Sequence, residues 1–239
     1  MREMARRFLR QRLGSGGTLV ALSLLALLAA LPLNSGQGIG ISATLAILIL
    51  AAGSVSRDIA SGAVQMILSR PLTRVEYLFG RYAGALLAYL IFLMGTVAAA
   101  FVLGQLLSRL MSTQSGPEFS WPAAGYAVLD SLSAGALAAA IVLLFSTFLR
   151  GWGDVLAFVL AAVLLGSIQG LGQLLARPGL AKAGRIAAEN LFPSLSWNPI
   201  LHGREILAEA TGQYVLAICA YLTLAAVLFA RREFPYGQD

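Results

Sequence analysis

Residues 82–108 read YAGALLAYLIFLMGTVAAAFVLGQLLS, a run without one acidic or basic side chain. Wound as an α-helix at 1.5 Å per residue, it extends about 40 Å, more than the ~30 Å thickness of a bilayer's hydrocarbon core. A helix with no polar face has no place at the surface of a soluble domain, but it can cross lipid with some tilt. Working outward from it, further apolar runs occupy residues 18–33, 41–56, 123–149, 154–176 and 211–230. With the central one, counted as 78–108, they predict an all-α polytopic membrane protein, a single domain over residues 1–239 with six transmembrane helices. Composition agrees. Apolar residues make up 58% of the chain and charged residues 12%, against roughly 45–50% and 25% in soluble domains. So few charges cannot cover a water-facing surface.

The basic residues set the orientation, because Lys and Arg collect in short cytoplasmic loops. Arg2, Arg6, Arg7, Arg10 and Arg12 precede the first run. Arg57, Arg70, Arg74 and Arg81 follow the second, Arg150 the fourth, and Arg231 and Arg232 the sixth. Both termini are therefore expected in the cytoplasm, with residues 177–209 on the outer side. The basic start is read as a retained first span, since the apolar run is longer than a signal-peptide core and lacks a small-residue cleavage site. Tyr77, Tyr82, Trp121 and Trp152 stand at expected span ends, where amphipathic rings settle at headgroup depth. The net charge of +6 suits anionic lipid headgroups, and no nucleic-acid-binding module is recognisable.

The segment between the second and third runs, SRDIASGAVQMILSRPLTRVEYLFGR from Ser56 to Arg81, is the most informative. Ile59, Ala63, Met66 and Ile67 share one face of a helix expected at about 59–68, and Pro71 closes it. This segment resembles the coupling region of the ABC-2 type transporter permeases. In that family an acidic residue is followed, after three further residues, by Gly-Thr. A Leu-rich stretch, a Ser/Thr-x-Pro turn, a Ser/Thr-Arg pair and a final Gly-Lys/Arg follow. Here Asp58, Gly62, Ser69 with Pro71, Thr73 with Arg74, and Gly80 with Arg81 take those places, while Asp58 stands where Glu is common and Ala63 where Thr is.

The resemblance implies a permease of the bacterial-type cytoplasmic (inner) membrane, moving a substrate outward. It would work as a homodimer or heterodimer with a separate ATP-binding-cassette ATPase subunit that binds ATP and Mg2+. Asp58, Gly62, Ser69, Pro71, Arg74 and Arg81 would couple the short cytoplasmic helix to that ATPase. A loop helix that merely tucks against lipid is the plainer reading of the same stretch. A membrane anchor that recruits a cytosolic partner through residues 57–76, and a secondary transporter, are the alternative functions.

Nothing in the sequence suggests chemistry by this chain. There is no G-x-x-x-x-G-K-[ST] loop for ATP, and Lys182 is the single lysine. No catalytic, cofactor-binding or metal-ligating residues are expected. His202 reads as a solvated loop histidine. Asp130, counted about 10 Å into its span, is costly in lipid and is expected to meet Gln169 or Gln173 on the next span or to face a wet vestibule. The 177–209 segment is expected to form two short interfacial or re-entrant helices. Gly80/Gly84 and Gly166/Gly170 are small-residue pairs of the kind that let helices approach closely.

Overall fold

The computed structural model describes residues 14, 16–34, 39–62, 64, 73–111, 119–149, 152–175, 177–197 and 207–232. Among them are eight helices and no strand: α1 Gly16–Asn34, α2 Gly40–Ala51, α3 Ser56–Ala60, α4 Arg74–Met111, α5 Trp121–Ser146, α6 Gly153–Leu174, α7 Pro178–Leu191 and α8 Leu207–Arg231. Four stretches are long and apolar enough to cross a bilayer, at Ser42–Ala60, Arg74–Leu106, Trp121–Ser146 and Thr211–Arg231. Gly16–Leu31 and Gly153–Ile168 are shorter apolar helices. Ser69, Pro71, His202, the arginines at 2–12 and the segment 198–206 lie outside the described residues.

Helix α5 is the centre of the bundle and touches α2, α4, α6 and α8, while α1 lies along α4. Residues Leu137–Leu144 of α5 are buried on every side, so a sequence apolar all round ends up as the shared core. At the periphery the same composition faces outward. Leu24, Leu28, Leu156, Leu160, Leu164 and Leu216 are exposed, a surface that only hydrocarbon or another protein would cover.

Two contacts fix the α4–α5 crossing. A Cβ at Gly135 would come within 2.2 Å of the Tyr89 ring, and the Tyr89 hydroxyl donates to Ser131 O at 3.1 Å. The expected small-residue pairs behave differently. Gly80 and Gly84 are buried, but Gly166 and Gly170 have open space where a side chain would go.

Helix ends follow local sequence. Thr73 and Glu76 form a reciprocal cap: Thr73 N donates to Glu76 Oε2 at 2.9 Å, and Glu76 N donates to Thr73 Oγ1 at 3.2 Å. This starts α4 at Arg74, earlier than the apolar run alone indicates. The second run departs further from expectation. It breaks after Ala51, Gly53 takes φ 61°, and only the single turn α3 continues.

Candidate functional site: the buried linkage at the loop end

The break in the second run creates a polar problem that the opposite side of the molecule solves. Leaving the helix frees the backbone N–H groups of Gly53, Val55 and Ser56 inside an apolar bundle, where each must find an acceptor, while Ser54 N donates to Ala51 O at 3.1 Å within the turn. The turn between α5 and α6 supplies both acceptors. Asp154, with no exposed surface, accepts from Gly53 N at 2.7 Å through Oδ2 and from Val155 N at 2.8 Å through Oδ1. Ser146 Oγ accepts from Val55 N at 3.1 Å and from Ser56 N at 3.0 Å. Above the same turn the Arg57 guanidinium lies 5.9 Å from the Trp152 ring centre.

Helix α3 is held from its other side by α4. Asp58 and Arg81 form an ion pair whose side chains are each 8% exposed, and the Tyr77 hydroxyl donates to the same carboxylate oxygen at 2.6 Å. Their spacing on α4 explains the convergence, because residues 77 and 81 are one turn apart on one helix face. Around this pair Val55, Val64, Tyr77, Leu78, Leu143 and Phe229 form a separate apolar cluster, with Tyr77 stacked on Phe229 at 5.6 Å. A buried ion pair stabilises little compared with apolar replacements of equal volume, since desolvation offsets the attraction. Its contribution here is register, since the carboxylate of α3 can sit only where the guanidinium waits.

Arg74 extends the linkage to the end of α8. Its guanidinium donates to the carbonyls of Phe229, Ala230 and Arg232 at 3.3, 2.7 and 3.1 Å, at the negative end of a helix dipole. Arg232 in turn donates to Thr147 O at the end of α5. Helices α3, α4, α5, α6 and α8 are thus joined at one end by side chains, and Gly62 follows α3 in the left-handed backbone region at φ 68°.

The sequence-derived coupling residues therefore separate into two groups. Asp58 and Arg81 face inward and pair with each other, and Arg74 grips a helix end. The exposed positions nearby are Arg57, Ala60 and Ser61. A short helix is described at Ser56–Ala60, and Val64 is again helical; positions 63 and 65–72, most of the expected 59–68 helix, lie outside the described residues. Tyr77 and Tyr82 are not headgroup anchors. Tyr77 is fully buried and the Tyr82 hydroxyl donates to Ala136 O at 3.1 Å. Trp121 and Trp152 are exposed, as interfacial rings would be. Asp154, Ser146 and Gly53 carry no motif and were not singled out by the sequence.

At the far end, residues 192–197 fold into the bundle. Phe192 meets Phe158 edge to face at 5.6 Å, Ser133 Oγ donates to Leu195 O at 3.3 Å, and Trp197 N donates to Asp130 Oδ1 at 2.7 Å. Asp130 thus satisfies a backbone group of the re-entrant segment. Gln173 is exposed, and the side chain of Gln169 lies outside the described residues. Helix α7, with its exposed Arg185–Glu189 pair at 3.1 Å, packs along α6. It is one short helix in the 177–209 segment, where two are expected. Among the described residues no cluster of His, Cys, Asp and Glu could hold a metal ion.

A comparison with protein-family models matches residues 14–192 to a model described as ABC-2 family transporter protein. Comparison with curated proteins gives no match.

Proposed function

The chain belongs to the ABC-2 transporter family, and from that premise we propose that it is the membrane-spanning permease subunit of an ATP-driven exporter. It crosses the cytoplasmic membrane six times with both ends inside, pairs with a second permease, and uses ATP and Mg2+ held by a separate ATPase subunit. The shorter helices α1 and α6 complete the six crossings. At 19 and 22 residues they extend about 28 and 33 Å, enough to span or nearly span the hydrocarbon core.

The observation that carries this reading is the double attachment of α3. A force applied from below to the exposed Arg57–Ser61 surface has no soft loop to dissipate in. The Asp58–Arg81 pair passes it to α4, and the Gly53–Asp154 and Ser146 bonds pass it to α5 and α6. A loop that only tucked against lipid would not need a buried ion pair and a buried carboxylate cap to hold it in register. Basic residues at the same end, Arg57, Arg74, Arg231 and Arg232, support its cytoplasmic placement.

The test is co-purification with a separate ATP-binding-cassette ATPase subunit, sought among reading frames with Walker motifs adjacent to this one, followed by hydrolysis in lipid nanodiscs. The reading expects a stable complex whose assembly fails when Arg57 and Ser61 are both changed to Glu. An ATPase that binds equally well without those surface residues, or no bound ATPase at all, would remove the basis for it.

A further inference from the structure

A cleft of about 640 Å³ opens between α2 and α6 over the face of α5, within the range of small-molecule sites. Its walls are mostly Ala, Leu, Ile and Val. The exceptions are Asp130, Ser131 and Thr44, with the aromatic rings of Tyr89 and Phe158. Asp130 gives Oδ1 to Trp197 N. Among the described residues nothing pairs with Oδ2, and no Lys or Arg forms an ion pair with this carboxylate. A carboxylate at the edge of an apolar cleft, with no ion-pair partner among the described residues, is a specificity element for whatever enters.

We propose that this cleft binds an amphipathic organic cation, with the positive group against Asp130 and the apolar body along α2 and α6. The proposal rests on the permease reading for its role as cargo, and on charge complementarity for its chemistry. A cation answers the free carboxylate oxygen, and the two aromatic rings in the same cleft favour positive charge near them. An acyl chain would fill the walls and leave the carboxylate unanswered. A second copy of this chain would bring the exposed Leu156, Leu160 and Leu164 of α6, which offer no positive group. An anion of the same shape is repelled.

The experiment uses the full chain in detergent micelles, by equilibrium dialysis against empty micelles. Tetraphenylphosphonium and tetraphenylborate serve as probes, since they share a shape and differ in charge. The cation should bind at least about tenfold more tightly than the anion, and Asp130→Asn should weaken the cation about tenfold. Asparagine keeps an oxygen for Trp197 N, so its thermal unfolding should match wild type. Ala162→Trp, which fills the cleft from the exposed face of α6 without touching Asp130, should abolish cation binding. Equal affinity for the two probes would overturn the assignment. So would wild-type affinity in Asp130→Asn, retained binding in Ala162→Trp, or a bound phospholipid that the cation fails to displace. None of these readouts involves the ATPase. Hydrolysis by the permease–ATPase complex, stimulated or not by the cation, tests the transport role separately.

Discussion

Removing the Asp58 carboxylate should be one of the most damaging single changes in the chain, and removing its partner as well should restore most of what is lost. Asp58→Leu leaves the Arg81 guanidinium, 8% exposed in the native pair, buried without its counter-charge, which costs about 3–5 kcal/mol. It also removes the acceptor of the Tyr77 hydroxyl. Hydrogen bonds to charged groups contribute about 1.5–3 kcal/mol, but this one shares an oxygen with the ion pair, so the two losses overlap and the total stays near 5. Arg81→Met strands the carboxylate instead, at a similar cost of about 3–5 kcal/mol, partly relieved by Tyr77. In the double variant Asp58→Leu with Arg81→Met no charge remains buried. The apolar cluster of Val55, Leu78, Leu143 and Phe229 can then extend over the site, so stability should return to within about 1 kcal/mol of wild type or exceed it. Equilibrium unfolding in mixed micelles, followed through the three tryptophans, measures all four corners of the cycle. A coupling energy above about 3 kcal/mol is expected. A value below about 0.5 kcal/mol, the scatter of independent sites, would refute the paired geometry.

Other positions give further tests. Asp154→Ala orphans the buried Gly53 N–H and should cost about 2–3 kcal/mol, with Asp154→Asn costing less because one oxygen remains; the same unfolding assay ranks them. Gly135→Ala places a methyl into the Tyr89 ring and should cost about 1–3 kcal/mol, relieved when Tyr89→Leu is added. Arg74→Ala frees the carbonyls at the end of α8, and faster amide exchange at Phe229–Arg231 should report it by mass spectrometry.

The bundle itself was legible because hydrocarbon imposes a simple rule: long uncharged runs become helices, and the runs around 82–108 and 123–149 appear as α4 and α5. The start of α4 was written in Thr73 and Glu76, a local cap that apolar counting passes over. Asp58, Gly62, Arg74 and Arg81 stood out through the resemblance of one segment to the ABC-2 coupling region, but a resemblance does not say which way a side chain points. The ion pair turns Asp58 inward, toward α4, although a surface role was the natural expectation. Asp154 was illegible for a different reason. An acid in the first turn of a helix is explained locally by the helix dipole, and nothing in the sequence marks its bond to Gly53, 101 residues away. Asp130 was visible as a carboxylate in an apolar run, but its partner is a backbone N–H, a group every residue but proline carries.

The central claim is that the α3 surface faces the cytoplasm, meets a nucleotide-driven ATPase, and passes its movement into α4, α5 and α6. It is tested most directly by cross-linking. With the lone native Cys219 changed to Ser, single cysteines at Arg57, Ala60 and Ser61 are treated with a short cross-linker in membranes containing the ATPase subunit, with and without ATP. The account predicts cross-links from all three exposed positions, altered in yield by nucleotide, and none from a cysteine at the buried Ser54. Labelling of Ser61→Cys from outside intact cells, with no adduct to the ATPase, would contradict it.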